Sequence, residues 1–410
     1  MMSDYSNFII ETANYRPITA SILVIIGTII IGFYLYLKSV QTSKINLYYK
    51  LDSKVLKPAL ENKTLIHMNF KQCIFLFNNF FQSLVHQKLA KVIEGRTQIK
   101  FVRELFTFKD GGMIAIDWVN EISPKNDQKP LLIISPGLGG EYNFAYNISV
   151  AEEGLANGYS VVIIGQRGAS GIPLTTPYIY CASSAQDIRE PVEYLYNNYC
   201  VNEDKQKIRQ IFYVAISFTG SILSHYLGED GDKHKIITAA AAVCSPMRIW
   251  LGIKQLKATY NGIFYKHFGQ KLRTLFYNNA RVLRGMFKEK FDVDIDNFIG
   301  ENSNAGVDEF NDLIAKMNKY KSSEDYYHNG SFIHILPQIR VPIMYFYSED
   351  DPVIGKEQLD LDQSMKNPYV LVATTKKGAH VSHFESYFNP RMWFRKPVIQ
   401  FLNSFRNDVK

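Results

Sequence analysis

Six short apolar runs constrain the fold of this chain more than any other feature: PLLIIS (130 to 135), SVVIIG (160 to 165), IFYVAIS (211 to 217), ITAAAAVC (237 to 244), VPIMYFYS (341 to 348) and YVLVATT (369 to 375). None keeps a strict polar/apolar alternation, so each suits a strand buried on both faces, as in a parallel sheet covered by helices. Helical stretches separate them, including SSAQDIREPVEYLYNNY (183 to 199) and the segment after Ser217. That β-α alternation predicts an α/β fold with a mostly parallel central sheet and helices on both faces. Before the first run, ELFTFKDGGMIAIDW predicts a hairpin turning at Asp110-Gly111-Gly112. Residues 101 to 410 then form one α/β domain, and the basic, aromatic interval from 246 to 330 is its inserted helical cap.

A chain of 410 residues that is 46% hydrophobic and 21% charged can bury a large core, which excludes a disordered or linker protein. Its four cysteines, Cys73, Cys181, Cys200 and Cys244, form no C-x-x-C pair, which argues against a disulfide scaffold or zinc ribbon and for reduced thiols. Neither a metal nor a cofactor is expected. The net charge of +7 is local, because Arg248 to Lys290 holds ten Lys/Arg against the single acid Glu289. Eight aromatics share that stretch, a mixture suited to anionic lipid headgroups, or equally to a solvated basic face over core aromatics. No glycine-marked motif of an RNA-binding sheet accompanies it, so nucleic acid is not an expected partner.

At the amino end, Pro17 to Leu37 carries no charge over 21 residues, long enough to cross a membrane as one helix. The leader holds Asp4 and Glu11 against Arg16, unlike a cleaved signal peptide, and Lys38, Lys44, Lys50, Lys54 and Lys57 follow the span. The expectation is a transmembrane anchor over residues 1 to 45, with the main domain on the cytosolic side, or the matrix side in a mitochondrial membrane. Residues 46 to 100 are expected to be a membrane-proximal linker. Within it, Ile74, Phe77, Phe81 and Leu84 recur at helical spacing over 70 to 86, fitting an interfacial helix or ordinary core packing.

Chemistry gathers at the ends of the apolar runs. Ala215-Ile216-Ser217-Phe218-Thr219-Gly220 reads as strand, sharp turn and helix, a geometry that lifts the Ser217 hydroxyl and aims the Phe218 N–H at a developing oxyanion. Ser135-Pro136-Gly137-Leu138-Gly139-Gly140 follows the first central run, where a second oxyanion donor would lie; it has neither G-K-[ST] nor G-x-G-x-x-G, so a nucleotide site is disfavoured. Downstream come Ser348-Glu349-Asp350-Asp351-Pro352 and Lys377-Gly378-Ala379-His380. Serine, aspartate and histidine in this order match the α/β-hydrolase arrangement of nucleophile, orienting acid and base. Asp351 is the expected acid, because its Asp-Pro-Val-Ile run suits a turn re-entering the core; Asp350 is the fallback. His225 to Asp230 also fits H-x-x-x-x-D, an acyltransferase signature, but its place in the helix after Ser217 points to a solvent-facing helix end.

Together these segments resemble a family of membrane-anchored α/β-hydrolase-domain proteins that includes animal medium-chain phospholipases and fungal ethyl ester synthase/esterases. RELFTFKDGGMIAIDW, SPGLGG, GQRGASGIPLTTPYIYCASSAQDI, AISFTG, SSEDYY, RVPIMYFYSEDDPVI and KKGAHVSHFE carry the resemblance over about residues 101 to 405. It implies Ser217, Asp351 and His380 as catalytic residues and the amides of Leu138 and Phe218 as the oxyanion hole. Glycines of the family are replaced by Ala215, Thr219, Ala379 and Ser382, and an arginine by Tyr178. Thr219 is expected to crowd the bend, so that Thr219→Gly leaves activity unchanged or raises it. Two functions follow: a membrane-anchored serine hydrolase or acyltransferase acting on lipid acyl esters, or a catalytically weakened or inactive hydrolase-like scaffold or subunit of a membrane protein assembly.

Overall fold

The computed structural model describes residues 20–36, 42–73, 76 and 78–407. Residues 20–36 form helix α1. In chain order there follow β1 (Thr42–Lys44), β2 (Asn46–Tyr49), α2 (Lys57–Leu60), α3 (Lys63–Ile66), β3 (Asn69–Lys71), α4 (Asn79–Arg96), β4 (Phe101–Thr107), β5 (Met113–Val119), β6 (Leu131–Ser135), α5 (Ala145–Ala156), β7 (Ser160–Ile164), α6 (Gln186–Tyr199), β8 (Ile211–Ile216), α7 (Phe218–Asp230) and β9 (Ile237–Val243). The cap comprises α8 (Ile249–Ala258), α9 (Ile263–Phe291), α10 (Ile295–Glu301), α11 (Val307–Met317) and α12 (Ser323–Asn329). The chain then returns through β10 (Ile343–Ser348), α13 (Leu361–Ser364), β11 (Val370–Thr375) and α14 (Arg395–Asn403).

Nine strands form one sheet in the order β2-β11-β10-β9-β8-β6-β7-β5-β4. The six apolar runs supply its central strands, paired parallel from β7 through β11, and β6, β8, β10 and β11 are buried along their whole length. Helices α5 and α14 pack together on the sheet, as do α6 and α7, which removes the apolar strands from water on both faces. The hairpin turns at Asp110 to Gly112, pairing Thr107 with Met113. The cap has an apolar core of its own, in which Phe276, Leu283, Phe287 and Phe310 are fully buried.

The expected linker over 46 to 100 is corrected: β2 pairs antiparallel with β11, so the sheet acquires an edge strand from residues 46–49. The helix proposed for 70 to 86 is also displaced, since β3 ends at Lys71 and α4 begins at Asn79. Ile74 and Phe77, and the side chains of Phe81 and Leu84, lie outside the described residues. Of the expected span Pro17 to Leu37, residues 20–36 are described. They rise about 25 Å at 1.5 Å per residue, against a hydrocarbon core of about 30 Å. Among the described residues no helix is long and apolar enough to cross a membrane.

Candidate active site

Strand β6 leads through α5 to β7 on one side, while β8 lies on the other, so the winding reverses between β6 and β8. Loops beyond such a reversal splay apart and leave a crevice for ligands. Ser217 stands there, between β8 and α7, with φ 54° and ψ −122°. A serine rarely takes that conformation, and the surrounding bonds hold it. Its N–H donates to the Val243 carbonyl at 2.7 Å, and its carbonyl accepts the Gly220 N–H at 3.0 Å. Ser217 Oγ lies 3.0 Å from His380 Nε2, and His380 Nδ1 lies 2.8 Å from Asp351 Oδ2. The other carboxylate oxygen, Asp351 Oδ1, accepts the N–H groups of Val353 at 2.8 Å and Ile354 at 2.9 Å, which fixes the plane of the acid.

Asp350 does other work. Its Oδ1 accepts the Ala379 N–H at 2.9 Å, so it tethers the loop bearing His380 rather than the imidazole. Burial pushes its carboxyl up to about 6. That loop is tightly wound, with Ala379 at φ 49° and Val381 at φ 53° on either side of His380. Ser348 Oγ donates to the Ala379 carbonyl, and Ser382 Oγ donates to the His380 carbonyl at 2.8 Å. With that proton committed, the Ser382 hydroxyl accepts from His86 Nδ1 at 2.7 Å, which sets the His86 tautomer and ties α4 to the loop. The Cys244 sulfur lies within 4.8 Å of the Asp351 and His380 donor atoms. Burial, and then the charge of Asp351, push its thiol well up, so it stays protonated.

With Thr219 in place the Ser217 to His380 hydrogen bond is still formed. The Thr219 hydroxyl lies within 2.9 Å of the Pro136 and Ile216 carbonyls and 3.2 Å of that of Ser135, fastening α7 to the end of β6. These contacts bear on stability, separately from any effect of Thr219→Gly on turnover. Removing the hydroxyl and adding backbone freedom in the first turn is expected to lower stability by about 2 kcal/mol, whereas Thr219→Ser costs under about 1 kcal/mol. Urea unfolding midpoints of the two variants check this.

Leu138 and Phe218 line the same pocket as Ser217; Phe218 is the first residue of α7, so its N–H has no partner within the helix. A Cβ on Gly137 would come within 3.2 Å of Ser217 Cβ, so glycine lets this loop approach the serine without displacing it. Two residues unremarked in the sequence hold it: Gln166 Oε1 and Tyr180 Oη accept the Gly139 N–H at 3.2 and 3.3 Å, and Gln166 Nε2 donates to the Pro136 carbonyl at 3.1 Å. Tyr178 lies farther back, its ring 4.9 Å from the Arg167 guanidinium, which is itself paired with Asp110 and Asp187. His225 is buried rather than solvent-facing, with Nε2 3.0 Å from the Gly330 carbonyl at the base of the cap. Asp230 pairs with Arg189 and His234, so the H-x-x-x-x-D residues serve packing.

Between sheet and cap, Ser217 opens onto a cleft lined by Ile249, Leu256, Phe268, Leu272 and Leu275 among others. Its walls are almost wholly apolar and suit a hydrocarbon chain.

Residues 130–387 match the alpha/beta hydrolase fold family over more than half of the chain. The chain belongs to the α/β-hydrolase fold family. Among its relatives, a monoacylglycerol lipase of Saccharomyces cerevisiae is 29% identical over 69% of this chain and 61% of its own length. The chain thus spans less than two thirds of that lipase. Phospholipase ABHD3 of Homo sapiens is 24% identical, covering 72% of this chain and 70% of its own. The medium-chain fatty acid ethyl ester synthase/esterase 2 of Saccharomyces cerevisiae is 25% identical over 85% of this chain and 87% of its own. An esterase structure from Pyrococcus furiosus aligns with a TM-score of 0.47 at 14% identity, covering 77% of this chain and 95% of that one.

Proposed function

We propose that this hydrolase-fold chain is a membrane-tethered serine hydrolase acting on acyl esters of lipids. The observation that carries the reading is the unbroken hydrogen-bond chain from Ser217 through His380 to Asp351 at the mouth of an apolar cleft. With the acyl chain in the cleft, Ser217 Oγ attacks the ester carbonyl as His380 Nε2 takes its proton. Asp351 keeps the imidazole oriented and stabilises its cationic form. The Leu138 and Phe218 N–H groups receive the oxyanion. Collapse breaks the C–O bond, His380 protonates the departing alcohol, and an acyl-serine remains. Water then yields the carboxylic acid, whereas a second alcohol yields a new ester. The names of the yeast and animal relatives support lipid esters as the substrate class.

The tether is α1, where Ile25, Ile30, Phe33, Leu35 and their neighbours stand half exposed or more on an uncharged helix. Such a surface is costly in water and stable in lipid. The lysines that follow favour a cytosolic or matrix-facing main domain. The basic cap contributes less than its composition suggests, because Lys257, Arg284 and Lys288 pair with Asp308, Asp296 and Asp292.

One experiment tests both parts. Membranes carrying the full chain are washed with carbonate and treated with a fluorophosphonate. A labelled band is expected in the pellet for wild type and none for Ser217→Ala. Absence of label on folded wild type would leave the scaffold reading in its place, and label wholly in the supernatant would remove the anchor.

A further inference from the structure

Helix α9 carries two adjacent stripes, the first of which lines the cleft at Ser217. Phe268, Leu272 and Leu275 line the apolar cleft, and Phe268 meets the His380 ring edge-on at 6.5 Å. One residue behind in the helix, His267 and Lys271 form a second stripe one turn apart. Lys271 Nζ reaches over the Phe144 ring at 5.8 Å, and His86 approaches from α4 behind Ser382. Desolvation alone lowers the pKa of Lys271. Burial comes first in lowering His86, to about 4, followed by repulsion from His380, Lys271 and His267. Among the described residues no carboxylate is paired with Lys271 or His267.

A half-buried ammonium beside imidazoles, with no acid to answer it, is unfavourable in the free protein and favourable once an anion arrives. The neighbouring stripe receives a hydrocarbon chain, so the fitting anion is one end of an amphiphile. We propose that His267 and Lys271 form a headgroup subsite for phosphate, selecting acyl esters whose alcohol side carries an anionic phosphate over neutral acylglycerols. The proposal rests on the esterase reading for its substrate but not for its binding.

The test uses the full chain and two eight-carbon amphiphiles, octyl phosphate and octanol, with binding measured by calorimetry below their aggregation limits. Octyl phosphate is expected to bind at least about 10-fold more tightly, the worth of one charge-assisted contact. Lys271→Met is expected to erase that ratio, Lys271→Arg to keep it, and the exposed Lys266→Ala to leave it alone. Inorganic phosphate displacing octyl phosphate at similar concentration would assign the site to free phosphate and overturn a headgroup role. Equal binding of the two amphiphiles, or a ratio that survives Lys271→Met, would overturn the subsite. Octanoylglycerol and its phosphate are then compared as substrates. If neither is hydrolysed while the binding ratio holds, the esterase reading falls and the phosphate site stands.

Discussion

Ser217→Ala and His380→Ala are each expected to lower ester hydrolysis by roughly 10⁴-fold or more, and the double variant by no more than either alone, since the residues act as one unit. Asp351→Asn is expected to cost about 10³ to 10⁴-fold, because the amide leaves His380 in the wrong tautomer while preserving shape. Asp350→Asn is expected to cost less than about 10-fold, because the amide oxygen of the new side chain still accepts the Ala379 N–H that Asp350 Oδ1 receives at 2.9 Å. Steady-state turnover of a short-chain acyl ester separates the two acids. Comparable losses at both positions would remove the assignment of Asp351. Intact circular dichroism in each variant keeps a folding defect from posing as a catalytic one.

Gly378→Ala is expected to destabilise the protein by roughly 3 kcal/mol and to disturb His380 two residues on. A Cβ there would lie 2.0 Å from His383 Nε2, at a backbone φ of 147°. His383 cannot yield: it is fully buried among Phe70, Phe346, Trp393 and Phe394, with Nε2 3.1 Å from Thr375 Oγ1. The neighbouring Ala379→Gly is expected to change stability by under about 1 kcal/mol, since relief of a left-handed alanine offsets the loss of one buried methyl. Chemical unfolding measures both. Adding His383→Ala to Gly378→Ala is expected to recover part of the loss, because the clash disappears; strict additivity would show that the ring is not the obstacle.

The sheet was legible because its signal is local. An apolar run with no polar face can only be a buried strand or helix segment, and runs of about four to eight residues bounded by turns settle for strands. The Ser217, Asp351 and His380 positions were legible for a related reason, as the right residue types at the ends of successive strands. The edge strand Asn46–Tyr49 was not. NLYY is short and half-buried, and its partner β11 is more than 300 residues away. The hydrogen bonds of Thr219 were not legible either, because sequence shows that a residue is β-branched but not where its hydroxyl points. The departures at Thr219 and Ser382 both acquire partners, the carbonyls at the end of β6 for one and His86 for the other.

The amino-acid sequence by itself determined the α/β class, the hairpin, the central strands, the cap insertion and the strand-end residues from which a serine-based site can be built. These follow from periodicity, turn chemistry and residue type, which act over a few residues. Only the tertiary structure decided which aspartate meets His380, how Gln166 and Tyr180 hold the Gly139 loop, and that α4 reaches the His380 loop through His86 and Ser382. Each is a contact between segments far apart in the chain, where hydrogen-bond direction and packing select one partner from several of equal chemical suitability.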